Sequence, residues 1–199
     1  MSDNEIKYIE YKLKGWLDSK KLYQENNSTI KFEGTIALTF QKDFNISKEE
    51  YNSYLDKHSN IQKIKNKFTS SRQKDVDKQG FTDIKEFYYW YFNIEKKCCY
   101  CGIEEKELNK YFNNDNIQYK DARPRGKTLE IERIVTAPKN KNLYTKENCA
   151  LACYICNNAK SDFISPSNFK PIAKGIYEFW KTKIQIEIDF PEKSEIWSK

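Results

Sequence analysis

Two pairs of cysteines carry the clearest chemistry in the sequence. Cys98 and Cys101 form one Cys-x-x-Cys turn, and Cys153 and Cys156 form another. Each turn offers two thiolates at the spacing that a tetrahedral Zn²⁺ ion requires, with Zn–S bonds of about 2.3 Å. The sequence therefore predicts one structural zinc ion that joins the two ends of the intervening segment.

The intervening segment has the pattern strand, loop, strand, helix. Residues 129–135 alternate apolar and polar side chains, and residues 138–142 are rich in turn formers. Residues 148–154 are apolar, and residues 157–161 open a short polar helix. This order predicts two short strands followed by a helix.

Three motifs lie along that pattern. Glu132-Arg133 ends the first strand, Glu147-Asn148 precedes the second, and CYICNNAK follows it from Cys153 to Lys160. With CCYCG at residues 98–102, these motifs resemble the HNH, or ββα-metal, endonucleases. The resemblance covers about residues 81–180. It extends to restriction endonucleases of the family that have arginine where most members have histidine.

This resemblance implies a fold and a set of site residues. The fold is α+β: a ββα-metal nuclease core clipped by a four-cysteine zinc site, with an N-terminal α/β extension and a C-terminal helix. A catalytic Mg²⁺ or Mn²⁺ ion is expected on Glu132 and Asn157, and Asn148 is expected to brace the loop between the strands. The simpler alternatives are a strand acid in a salt bridge for Glu132 and a helix cap for Asn157.

Arg133 occupies the position of the histidine that usually acts as general base. Arginine stays protonated, so it is a poor base, but its two N–H donors suit a phosphate. Either the ion and the phosphate activate the water, or another residue does so, with Tyr89 and Tyr91 as candidates. A third possibility is a site that binds without catalysis.

The formal net charge of +6 favours an anionic partner, here double-stranded DNA, although a lysine-rich composition alone is the simpler explanation. Phosphate contacts are predicted for four basic residues: Arg123, Arg125, Lys127 and Lys160. For the first three, an ordinary solvated loop is the alternative. Such contacts would position DNA without reading its sequence.

The elements around the site set the predicted domains: an N-terminal extension at 1–78, the nuclease domain at 79–183, and a C-terminal strand and tail at 184–199. The predicted helices span 47–57, 59–78, 83–94 and 165–183. The last of these helices is expected to be interrupted at Pro171 and Gly175. The predicted strands span 29–33, 35–40 and 184–190. Residues 104–128 are expected to be a polar insert, Thr82 a helix cap, and His58 a surface residue.

Composition narrows the cellular setting. The first 20 residues contain no apolar signal region, and no run approaches 18 apolar residues, so a cytoplasmic protein without a membrane span is expected. Six cysteines in such a protein favour metal ligands over disulfides. Cys99 and Cys149 remain outside the predicted zinc site.

Three functions are compatible with these features. The first is a metal-dependent DNA endonuclease, either a homodimeric restriction enzyme or an effector of antiviral defence with a partner on residues 1–78. The second is a zinc-stabilised nucleic-acid-binding module with a non-catalytic HNH-like fold. The third is a protein-interaction scaffold whose zinc is structural.

Overall fold

The computed structural model divides the chain into two compact units. The first comprises Met1–Ser70 and Asp83–Phe92, and the second comprises Ser71–Thr82 and Asn93–Lys199. The helix that precedes the first cysteine pair thus lies in the first unit, whereas the sequence assigns it to the nuclease domain. The structure describes residues 1–13, 40–41, 44–71, 80–81, 83–113, 126–138, 141–185 and 187–199.

The first unit is helical in its described residues. Residues 3–13 form α1, and residues 40, 41 and 44 are helical. Three longer helices come after them: α2 at Lys48–Lys57, α3 at Ile61–Ser71 and α4 at Ile84–Asn93. Ser47 caps α2 as its sequence predicts, because its side chain accepts a hydrogen bond from the backbone N–H of Glu50. Asp83 makes the same type of contact at α4 with Glu86. The predicted strand at 29–33, residues 35–39 of the predicted strand at 35–40, and the predicted cap Thr82 lie outside the described residues. Phe40, the last residue of the second predicted strand, is described and is helical rather than extended.

His58, expected at the surface, is instead buried in the first unit. Its Nε2 lies 2.9 Å from Glu5 Oε1, and its Nδ1 is hydrogen-bonded to the Tyr88 hydroxyl. The ring therefore joins α1, the end of α2 and α4. Burial lowers the pKa of His58, which favours the neutral imidazole in this network.

The second unit combines helices with one small sheet. Its elements are α5 at Glu105–Phe112, β1 at Glu130–Arg133, β2 at Cys149–Ala152, α6 at Tyr154–Lys160, α7 at Pro166–Ile184 and a 3-10 turn at Glu195–Ser198. The strands are antiparallel, with Glu132 opposite Ala150. The described part of the chain is thus α+β, and β1, β2 and α6 follow one another as ββα.

Two segments of this unit differ from the sequence expectation. Part of the predicted polar insert forms α5, because Leu108 and Tyr111 recur at helical spacing and Leu108 is buried. Helix α7 begins with its predicted cap, Ser165, and continues through Pro171 without interruption.

The predicted strand at 184–190 is absent from the described residues of that segment. Ile184 ends α7, and Gln185 has a left-handed backbone. Residues 187–190 are described without regular structure, and a Cβ atom added at Gly102 would lie 2.2 Å from the carbonyl oxygen of Asp189. An alternating pattern makes a strand only beside a partner, and this segment packs on the turn at Gly102 instead.

No helix in the described ranges combines the length and the apolar character needed to cross a membrane.

Candidate functional site

Each cysteine pair is held in a turn that the sequence specifies locally. In the first turn, Gly102 donates its N–H to the Cys98 carbonyl, and Gly102 has a φ of 80°, which favours glycine. In the second turn, Cys153 is the N-cap of α6, and its sulfur accepts from the N–H of Cys156. The second pair is therefore part of a helix start.

The four cysteines meet in one buried cluster. The sulfur atoms of Cys98, Cys101, Cys153 and Cys156 all lie within 4.8 Å of one another. Four thiolates around Zn²⁺ at about 2.3 Å lie about 3.8 Å apart in a tetrahedron. The Cys101 and Cys153 sulfurs are 3.7 Å apart. The quartet therefore fits a structural zinc ion in both chemistry and spacing.

Asn148 holds the loop between the two strands. Its side-chain oxygen accepts from the N–H of Val135, and its side-chain nitrogen donates to the carbonyls of Val135, Lys141 and Leu143. One asparagine side chain thus hydrogen-bonds to four backbone groups of an irregular loop. This geometry is a bracing one, because both ends of the amide are occupied by backbone groups.

A polar cleft of about 260 Å³ opens where β1 meets α6. It brings together Glu132, Arg133 and Asn157, which lie on a strand and on a helix about 25 residues apart in sequence. The remaining lining residues are Ile131, Thr136, Tyr144, Asn158, Ser161 and Asp162.

Glu132 is 4% exposed and has two partners on one oxygen. Its Oε1 accepts from the Tyr100 hydroxyl at 3.0 Å and forms an ion pair with Lys160 Nζ at 2.9 Å. Burial raises the pKa of the Glu132 carboxyl, and Lys160 opposes that rise. The salt-bridged acid considered as an alternative for Glu132 is therefore present in the structure.

The DNA contact predicted for Lys160 needs correction. Its side chain is completely buried, and its ammonium also donates to the carbonyls of Arg133 and Ser161. Because all three partners are internal, the charge of Lys160 is used to neutralise Glu132 rather than offered to a ligand. Sequence reasoning missed this because nothing in the motif shows which way the lysine points.

Asn157 faces Glu130 across the same strand and helix. Its Nδ2 donates to Glu130 Oε2 at 2.6 Å. Glu130 precedes Glu132 by two residues, so both acids project from one face of β1. Sequence reasoning did not single out Glu130, although this two-residue spacing in the strand was a signal for it.

Arg133 lies on the more open side of the cleft. Its guanidinium carbon is 4.7 Å from the centre of the Tyr144 ring, and a terminal nitrogen is 3.7 Å from Asp162 Oδ1. The Arg133 side chain is 15% exposed, whereas that of Asp162 is 68% exposed. The arginine is therefore oriented by an aromatic face and a loosely held acid.

The remaining predicted site residues are placed as follows. Arg123 and Arg125 lie outside the described residues. Lys127 donates to the side-chain oxygen of Asn113 at 2.7 Å. Tyr91 lies in the first unit, where it is buried with its ring stacked on Phe87, and its catalytic role stays a prediction.

Two oxygens on the cleft residues remain available for a hard cation. Within the described part of the chain, Glu132 Oε2 and Asn157 Oδ1 form no hydrogen bond. Carboxylate and amide oxygens are suitable ligands for Mg²⁺, which retains several waters when few protein ligands are present. Both residues line the cleft, so these two oxygens are of the type that could hold a divalent ion together with water and substrate.

Comparison with known proteins finds similarity to a solved structure. No protein-family model and no curated protein matches this sequence. The solved structure of the rare-cutting HNH restriction endonuclease PacI is similar at 23% identity over 63% of this chain and 80% of that chain, with a TM-score of 0.41.

The cysteine quartet predicts that the second unit depends on zinc. Elemental analysis of protein purified without chelator should find one zinc ion per chain. Cys98→Ser and Cys156→Ser should lose the metal and unfold this unit, because zinc binding contributes directly to folding. Cys99→Ser is the matched control and should keep the ion. Wild-type protein without zinc would contradict the assignment.

The Glu132–Lys160 ion pair predicts a stability effect for Lys160. Lys160→Met leaves a buried carboxylate without its partner, which should cost about 3–5 kcal/mol of unfolding free energy. Adding Glu132→Gln should recover part of that loss. Urea unfolding followed by the indole resonances of Trp180 and Trp197 measures both effects. A DNA-contacting lysine would instead weaken DNA binding and leave the urea midpoint unchanged.

Proposed function

We propose that this protein is a metal-dependent DNA endonuclease of the HNH type, which hydrolyses phosphodiester bonds in double-stranded DNA. The observation that carries the proposal is the cleft, where Glu132, Arg133 and Asn157 of the recognised motif face one space. The motif alone predicts these residues, and the ββα arrangement with the buried cysteine quartet supports their grouping.

Glu132 and Asn157 are proposed as the ligands of the catalytic Mg²⁺ or Mn²⁺ ion. When bound, the ion would polarise the phosphate and stabilise the leaving oxygen. The chain's own contribution is to hold an ionised carboxylate and an amide oxygen at fixed positions. Lys160 and Tyr100 keep Glu132 in place, since both bind the same carboxylate oxygen.

Arg133 is proposed as a phosphate clamp rather than a proton acceptor. Its guanidinium stays charged at neutral pH and has donors that match two phosphate oxygens. Tyr144 orients the side chain from one face. A DNA phosphate entering the cleft would take the place of Asp162, whose 3.7 Å contact is long and largely exposed.

Phosphate contacts outside the cleft are proposed for Arg123, Arg125 and Lys127. They accord with the net charge of +6 and would make DNA affinity fall steeply as salt rises. A restriction enzyme or a cytoplasmic defence nuclease is the proposed biological role. Residues 1–78 are the proposed surface for a second copy or for a defence-complex partner.

Plasmid cleavage tests the function directly. Purified zinc-loaded protein should nick or cut supercoiled DNA with Mg²⁺ or Mn²⁺, and added EDTA should stop the reaction. Glu132→Gln should abolish cleavage, because it keeps the shape and the hydrogen-bond acceptor but removes the charge that binds a cation. Glu132→Asp should retain part of the activity, since it keeps the charge and moves it by one methylene.

The controls separate the alternatives. Zinc content and the indole resonances show whether the Glu132 variants remain folded. Salt-dependent DNA binding without cleavage in either metal would favour the non-catalytic nucleic-acid-binding module. Neither binding nor cleavage would favour the scaffold.

Arg133 provides a second test within the cleft. Arg133→Ala should lower the cleavage rate by about 10²–10³-fold, by analogy with removal of an oxyanion donor. Arg133→Lys should keep weak activity, because it retains charge but not the two-pronged geometry. Arg133→His should be impaired. Full activity of Arg133→His, with a rate rising through about pH 6–7 as expected for imidazole, would show that position 133 is a base site.

A further inference from the structure

The Asn157 amide has two chemically different ends, and a divalent ion can use only one of them. The oxygen is a metal ligand and hydrogen-bond acceptor, whereas the NH₂ group only donates. If the amide turned over, it would present N–H groups to the cation. An asparagine ligand in this cleft therefore needs its orientation fixed before the ion arrives.

Glu130 supplies that constraint. An ionised carboxylate accepts hydrogen bonds and donates none, so only the orientation with Nδ2 toward Glu130 can form the observed 2.6 Å contact. In that orientation Oδ1 is the end turned away from Glu130. Asn157 also lines the cleft beside Glu132.

The contact is part of a regular strand–helix arrangement. Glu130 and Glu132 share a face of β1, while Asn157 and Lys160, three residues apart, share a face of α6. Glu130 pairs with Asn157, and Glu132 pairs with Lys160. The two acids thus meet different partners: one orients an amide, and the other is neutralised by an ammonium.

We propose that Glu130 is a positioning residue that fixes the Asn157 amide with Oδ1 toward the catalytic cation. This inference rests on the proposed nuclease function, because it assumes that a divalent ion binds at Glu132 and Asn157. Glu130 does not itself contact the ion in this assignment; it acts through Asn157.

The first measurement needs neither metal nor DNA. In the wild-type protein, a side-chain amide proton of Asn157 should resonate well away from the position of a solvent-exposed asparagine, because it is bound to a carboxylate. Glu130→Ala should return it to the exposed position. An exposed-type Asn157 resonance in the wild type would overturn the inference.

The second measurement is Mn²⁺ affinity of the zinc-loaded protein, from the electron paramagnetic resonance signal of free Mn²⁺. Loss of a hydrogen bond that orients a metal ligand commonly costs about 10–100-fold in affinity, and this loss is expected for Glu130→Ala. Glu147→Ala is the matched control: it removes the same charge from an exposed position in the same unit and should keep wild-type affinity.

A double-mutant cycle separates orientation from other effects. Aspartate at 157 has two equivalent oxygens, so its orientation no longer matters, but it would face Glu130 as a second carboxylate. Asn157→Asp alone should therefore bind Mn²⁺ poorly, and adding Glu130→Ala should improve it. Glu130→Ala is thus expected to lower Mn²⁺ affinity when residue 157 is asparagine and to raise it in the Asn157→Asp background.

The outcomes distinguish this inference from the proposed function. If wild-type protein binds Mn²⁺ and cleaves plasmid while Glu130→Ala keeps wild-type affinity, the positioning role is wrong and the function stands. If the change is equally harmful in both backgrounds, Glu130 acts through charge or packing, and the inference is again overturned. Wild-type protein that neither binds Mn²⁺ nor cleaves would overturn both.

Discussion

The cysteine quartet is the constraint on which the second unit depends. Two strands of four residues each bury little surface, and an isolated two-stranded sheet is marginal in water. Cys153 follows β2 directly and also caps α6, so a metal bound there would fix both elements at once. A further tie is the N–H of Cys99, which donates to the Leu151 carbonyl of β2. These contacts fix the position of α6 relative to the two strands, and so they set the geometry of the cleft between β1 and α6.

The pairing of side chains between β1 and α6 follows from the spacing of residues along a strand and along a helix. A strand repeats every two residues and a helix every three to four, so Glu130 and Glu132 can meet Asn157 and Lys160 in order. A buried ion pair is costly to desolvate and is weak evidence for stability. Its effect here is local: burial raises the pKa of the Glu132 carboxyl, and the Lys160 ammonium opposes that rise.

Local sequence signals predicted much of this site, and long-range contacts account for most of what they missed. The cysteine turns and the caps Ser47 and Ser165 depend on neighbours within a few residues, so their patterns could be interpreted directly. The two strands were also predicted correctly, although each needs the other as its partner. The burial of His58 depends on Glu5 and Tyr88, which lie 53 and 30 residues away. Lys160 was misassigned for the same reason, because a buried acid far earlier in the sequence, Glu132, decides its direction.

Arginine at position 133 adds a positive charge to the cleft, and that charge needs an anion nearby. A neutral imidazole would need no counter-charge, whereas a permanent guanidinium does, and the nearby anion is Asp162. The two acids of the cleft are held differently: Glu132 is buried and bonded to Lys160, while Asp162 is mostly exposed and 3.7 Å from its partner. The contact is long and its acid is largely exposed, so it contributes little stability, and the phosphate of the proposed function would displace Asp162 at small cost. The contact between Arg133 and the Tyr144 ring does not involve Asp162, so in the proposed exchange the ring would still orient the guanidinium.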